Sequence, residues 1–176
     1  VAASIVLALQ TVVARNLDPL DMGVVTVASI HGGDALNVIP AHVDLGLTIR
    51  SFSQSVREEL RRRIETVARS QAESYGAVAD VDYQWGFPAL INAKTETEFA
   101  KQVALASFPN ETVIEDFRPR TASEDFAFML EEKPGSYFFV GNGDSAGLHS
   151  PNYNFNDDIL LPAALFWVRL TEASLN

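Results

Sequence analysis

The larger apolar side chains at the start of the chain, Val1, Ile5, Val6, Leu9, Val12 and Val13, recur at helical spacing. This pattern predicts an amphipathic helix stopped by Asp18-Pro19. The period then changes. Residues 24–30 are rich in β-branched side chains, and over 43–49 Val43, Leu45, Leu47 and Ile49 alternate with polar or small residues. One face of that second strand is apolar, and Arg50 projects from the other. The link contains Gly32-Gly33 and Asn37-Val38-Ile39-Pro40, so the pair is expected to form an antiparallel hairpin with a long, structured connection. A second helix follows, with Val56, Leu60, Ile64, Val67, Ala68 and Tyr75 on one face. Ser53 or Ser55 can cap its start and Gly76 can close its end. Val81, Tyr83, Trp85 and Phe87 then alternate as a short strand. Helix, strand, strand, helix, strand is a βαββαβ unit without its first strand. An incomplete ferredoxin-like sandwich is therefore expected over residues 1–90, with upstream chain missing.

After a connection at 88–94 the pattern differs. Phe99, Val103 and Ala106 predict a helix, residues 112–114 a short strand and 126–130 another helix, with Thr121 and Glu124 spaced as a capping box. Tyr137-Phe138-Phe139-Val140, bounded by Gly135 and Gly141, predicts a strand buried on both faces. A last helix after Asp157-Asp158 presents Leu161, Leu165, Trp167 and Val168. Alternating helices and strands favour an open α/β sheet over residues 91–176, and the whole chain is expected to be α+β.

Composition narrows the function. With 47% hydrophobic and 20% charged residues, the chain can bury a core and is not a disordered tract. A net charge of −10 argues against a nucleic-acid partner, since phosphates reward clustered Lys and Arg. The one basic run, Arg61-Arg62-Arg63, stands at helical pairing distance from Glu58, Glu59 and Glu65, and reads as a solvated helix face. Cysteine is absent, which removes disulfides and thiolate chemistry. This fits a reducing compartment and an oxidising one alike; a cytoplasmic location is expected. No apolar stretch approaches the roughly 20 residues of a membrane span. Asn110-Glu111-Thr112 matches a glycosylation acceptor and reads as a chance match.

Candidate chemistry centres on the glycine-rich loop from Gly141 to Pro151, just past the carboxyl end of the expected buried strand, where open α/β sheets bind ligands. It delivers one imidazole, His149, placed to serve as a metal ligand or a general base, although a single histidine in a loop is more often an ordinary surface residue. Five motifs then occur in series. They are Gln10 to Asn16 with Asp18-Pro19-Leu20, Asn37-Val38-Ile39-Pro40, Thr48-Ile49-Arg50, Ser123-Glu124-Asp125-Phe126-Ala127, and Leu148-His149-Ser150-Pro151. Together they resemble the second half of the hippurate hydrolase group of metal-dependent amidohydrolases, with aminoacylases and glutamate-releasing carboxypeptidases as more distant relatives.

The resemblance implies a lid and dimerisation domain over 1–90 and the C-terminal part of an α/β metal-dependent hydrolase domain over 91–176. It implies two divalent ions, zinc or manganese, in the intact enzyme, and an N-acyl amino acid as substrate. His149 matches the last metal ligand, Arg50 an arginine that grips the substrate carboxylate, and Asn37 an asparagine that holds the substrate or the transition-state oxygen. Glu124 and Asp125 match a turn near the metal pocket, although acidic residues also suit a helix start through its dipole. The other four ligands, the general-base glutamate and a lid histidine are expected upstream of Val1. His31 lies after the first helix and is read as a hairpin residue. One ligand cannot hold a metal pair, so the chain alone is expected to be inactive and to associate, as a homodimer or with the missing N-terminal segment. The alternative is a non-catalytic binding or assembly module with the same lid fold.

Overall fold

The structure, a computed structural model, describes residues 1–109 and 113–176. The Asn110-Glu111-Thr112 triplet and the start of the strand expected at 112–114 lie outside the described residues. Two compact units are present: Val1–Ala89 with Arg120–Ser123, and Leu90–Pro119 with Glu124–Asn176. Helices and strands are mixed, as the sequence pattern predicts.

The first unit contains α1 (Ala2–Asn16), β1 (Gly23–His31), β2 (Asp44–Ser51) and α2 (Gln54–Glu73). After α1 the Leu20 amide donates to Asp18 Oδ1 (2.8 Å), fixing the turn that ends the helix. β1 and β2 pair antiparallel from Gly23↔Ser51 to His31↔Asp44, with an irregularity between Val27 and Ser29. Gly46 stands opposite Ser29 there, and a Cβ on it would lie 2.5 Å from Ser29 Oγ, so a larger residue would have to turn that hydroxyl aside. Ser53 caps α2, its Oγ accepting from the Val56 amide (3.3 Å). Gly76, at φ +69°, turns the chain out of the helix, and the Ala77 amide returns to Ala72 O (3.0 Å).

The core of this unit joins Ile5, Leu9 and Val12 of α1 to Val56, Leu60, Ile64, Ala68 and Ala72 of α2. Val25, Val27, Leu45, Leu47 and Ile49 pack against them from the hairpin, so both helices lie on its apolar face. Tyr75 is a correction to the predicted helix face, because it falls past the end of α2 and is exposed. The basic run behaves as expected. Glu59 binds Arg62 (2.6 Å) and Arg63 (2.8 Å), and Glu65 binds Arg61 (2.9 Å). Hydrogen bonds from these guanidinium groups hold both carboxyls below their ordinary pKa.

A second correction concerns the strand expected around Val81 to Phe87. Ala77, Ala79, Val81 and Tyr83 pack against the core while Val78, Asp80, Asp82 and Gln84 face outward, which is the alternation of a strand. Among the described residues, however, the sheet contains only β1 and β2. Packing of alternate side chains sets the extended geometry, but a ladder needs a second backbone alongside. Trp85 stays beside Tyr83, with ring centres 5.1 Å apart, but is 44% exposed. Its ring lies 4.7 Å from the Arg57 guanidinium and 5.5 Å from that of Arg61, and Arg57 Nη2 donates to Gly86 O (2.7 Å).

The second unit contains α3 (Lys94–Ser107), α4 (Phe126–Glu132), a 3-10 turn (Asp157–Ile159) and α5 (Leu160–Leu175). Its core is small: Ala100 and Val103 of α3 meet Phe166 of α5, with Ala104, Phe108, Phe138 and Leu170 packed against them. Asn92 pairs with the backbone at 137 as a neighbouring strand would. Its Nδ2 donates to Tyr137 O and its Oδ1 accepts from Tyr137 N, both at 2.8 Å.

Three expectations for this unit fail for physical reasons. The 137–140 run is not buried on both faces. Phe138 packs against Phe166 (4.7 Å between ring centres), but Phe139, beside the rings of Tyr137 and Phe117, is 58% exposed. α5 turns Phe166 rather than Leu161, Leu165, Trp167 and Val168 toward α3, leaving those four exposed. The capping box at Thr121 and Glu124 does not form. α4 starts only at Phe126, and Asp125, at the cap position, makes no side-chain capping bond.

Candidate functional site

Arg50 and Asn37 belong to the first unit. The alternation of β2 puts Leu47 and Ile49 toward the helices and Arg50 on the exposed side. Its Nη1 donates to the backbone carbonyl of Thr121, in the segment Arg120–Ser123 of the same unit. A guanidinium carries five N–H donors, so this bond leaves donors for an anion. Asn37 lies in the connection between β1 and β2, where every residue from 32 to 43 is exposed. His31, the last residue of β1, is exposed as well, as is His42 near the end of the connection.

Glu124, Asp125 and His149 belong to the second unit. Glu124 is half-buried and Asp125 exposed at the entry to α4, where the amides of Ala127 and Phe128 donate to their carbonyls (3.3 and 3.0 Å). The Tyr137 phenol lies near the Glu124 and Asp125 carboxylates. Burial pushes that phenol above its ordinary pKa, and the Glu124 and Asp125 charges push the same way. Tyr137 escaped the sequence reading, in which it served only as part of an apolar run. No linear signal marks the pair, because it depends on where α4 begins relative to the 137–139 backbone.

His149 occupies the third position of a turn closed by the Ser150 amide on Gly147 O (3.2 Å). Its φ is +67°, a left-handed value that, among the described residues, no other non-glycine adopts. The imidazole is exposed. A second turn follows at once, the Tyr153 amide donating to Ser150 O (3.0 Å). The sequence motif therefore folds into a tight double turn that displays one ring at its bend.

The donor chemistry of this chain fits one position in a metal coordination sphere. His149 offers an accessible nitrogen, but among the described residues no three of His, Cys, Asp or Glu come together to hold an ion. A shallow cleft of about 310 Å³ between α1 and the start of β1, lined by Leu9, Val13, Gly23 and Val25, contains none of the candidate residues. It has no titratable lining side chain and offers no chemistry.

Comparison with known proteins adds to this geometry. The chain is 38% identical over 168 residues to an IAA-amino acid hydrolase (ILR1-like 4) of Arabidopsis thaliana, covering 90% of this chain and 38% of that protein. It is 30% identical over 169 residues to hippurate hydrolase of Campylobacter jejuni, covering 96% and 44%. Among solved structures, a dinuclear metal binding peptidase from the M20 family of Bacillus subtilis superposes with a TM-score of 0.78 at 26% identity. That alignment covers 96% of this chain and 44% of the other. The chain thus spans about two fifths of the length of the relatives it matches. The model of peptidase family M20/M25/M40 matches residues 6–173, and the chain belongs to that family.

Proposed function

We propose that the protein carrying this chain is a metal-dependent amidohydrolase that cleaves the amide bond of N-acyl amino acids, hippurate-like compounds among them. The observation that carries the reading is His149, an exposed imidazole held at a left-handed bend in a chain of this family. Strain of that kind in a non-glycine residue clusters at functional sites. Support for the substrate class comes from the relatives, two of which are named for hydrolysing an amino acid conjugate or hippurate. Support for a metal pair comes from the related structure described as dinuclear metal binding.

In this reading the first unit, with residues 1–90, is the lid and a homodimer surface, and residues 91–176 complete a catalytic domain. His149 gives a ring nitrogen to one of two divalent ions, zinc or manganese. Bound ions supply Lewis acidity, polarising the amide carbonyl and acidifying a water. Arg50 binds the substrate carboxylate through two parallel N–H donors, and Asn37 donates its amide N–H to the acyl oxygen. Glu124 and Asp125 add negative charge at the pocket edge, with the Tyr137 phenol nearby. The glutamate that relays the proton to the leaving amine lies outside this chain, as do the remaining ligands. The enzyme works in the cytoplasm.

Hippurate and N-acetyl amino acid hydrolysis by the full-length protein tests this. His149→Ala is expected to abolish turnover and lower bound metal with the thermal midpoint nearly unchanged; activity near the parent level refutes the ligand role. Arg50→Ala is expected to raise KM more than it lowers kcat, and an unchanged KM refutes carboxylate recognition. A stable parent that binds no metal and cleaves no N-acyl amino acid is instead a binding or assembly module.

A further inference from the structure

We propose that Asn142 is the positioning residue for His149, an inference that rests on the reading of His149 as a ligand. The loop from 141 to 156 leaves the 137–140 run and returns to the 3-10 turn before α5. It contains two glycines besides Gly141, and one of them, Gly143, has φ +76°. Such a loop does not hold a histidine at a left-handed φ by local preference alone, so something outside the turn must fix it. The Asn142 side chain has the bonds to do so. Its Nδ2 donates to Asn154 O and to Ser145 Oγ, both at 2.8 Å. Its Oδ1 accepts from the Asn156 amide, also at 2.8 Å. Both N–H donors and the carbonyl of one amide are thus committed, and together they tie the outgoing strand of the loop to the returning one.

The returning strand is fixed in turn. Asn156 Oδ1 accepts from the Asp158 amide (3.0 Å), capping the 3-10 turn that leads into α5, and α5 is anchored through Phe166. Rigidity therefore passes from a buried aromatic, through a capped turn, to Asn142 and across the neck of the loop. The two turns at 147–150 and 150–153 lie wholly inside that neck. With the neck closed, the bend at His149 has few alternatives. With it open, the glycines let the ring swing. Asn142 touches neither substrate nor metal in this proposal; it acts on the direction of the imidazole. Groups hydrogen-bonded directly to a ligand alter metal affinity about 10- to 100-fold when removed; Asn142 acts one step further out, through the loop backbone, and its effect falls at the low end of that range.

The test is a cobalt(II) titration of the chelator-stripped full-length protein, followed by visible absorbance, for wild type, Asn142→Ala, Asn142→Asp and His149→Ala. Thermal midpoints and amide exchange at Asn156 are measured alongside. Asn142→Ala is expected to weaken cobalt binding about 10-fold and speed Asn156 exchange, with a midpoint close to wild type. Asn142→Asp keeps an acceptor for the Asn156 amide but cannot donate to Asn154 O, so an intermediate loss is expected; it decides the matter should the alanine variant not fold. Unchanged cobalt affinity in a folded Asn142 variant, with affinity lowered in His149→Ala, overturns the positioning role alone. Unchanged affinity in His149→Ala overturns the ligand reading beneath it. Fast exchange of the Asn156 amide in the wild type also overturns the proposal, whatever the variants do.

Discussion

In the first unit two helices facing one another close eight buried side chains over one face of a hairpin, whereas in the second α3 and α5 enclose only Ala100, Val103 and Phe166. Apolar residues are not scarcer in the second unit. They point elsewhere: Leu161, Trp167, Val168, Phe128, Met129 and Phe139 are all exposed. α1 and α2 each carry one apolar stripe, so a single partner surface satisfies each helix. α5 and the 137–140 run are apolar on more than one side, and a single neighbour cannot cover them. Periodicity with one face specifies a self-sufficient core; apolarity all round specifies contacts on several sides.

That contrast can be tested by unfolding the 176-residue chain in urea. Leu60 is fully buried, and Leu60→Ala is expected to cost about 2–5 kcal/mol, seen as a lower midpoint in circular dichroism. A loss well below that range means the first unit is not the packed body described. Ser53→Ala removes the cap of α2 and is expected to cost about 1 kcal/mol; an unchanged midpoint means that the Val56 amide finds water as readily. Phe139→Ser, at a site already 58% exposed, is expected to lie within about 0.5 kcal/mol of wild type. A large loss there would break the comparison, because it would mean that the exposed aromatics carry stability after all.

The same contrast explains what could be read from the sequence. α1, the hairpin, α2 and the Ser53 cap follow from local periodicity and capping chemistry, and their partners lie nearby in the chain. The 77–84 segment kept its alternation but not its ladder, because pairing depends on a second backbone and not on its own side chains. Trp85 read as part of that strand and does lie beside Tyr83, but its seat under the Arg57 and Arg61 guanidiniums of α2 joins residues that no local pattern links. In the second unit the direction of α5 is set by Phe138 and Phe166, a ring contact that helical spacing does not encode. Among the candidate residues, the exposed side of β2 for Arg50 was legible from alternation. Its bond to Thr121 O was not, since it joins residues far apart in sequence. The left-handed bend at His149 and the nearness of Tyr137 to Glu124 are likewise set by the folded chain and not by any linear pattern.

The chain has two tryptophans, and they fall one to each unit: Trp85 against Arg57 in the first, Trp167 beside Phe138 in the second. This placement gives the molecule a pair of built-in optical labels. Replacing Trp167 with phenylalanine leaves emission that reports the helix-and-hairpin body alone, and replacing Trp85 leaves emission that reports the other. Whether the two bodies melt together or in succession then becomes a question for a fluorimeter, answered without attaching a dye.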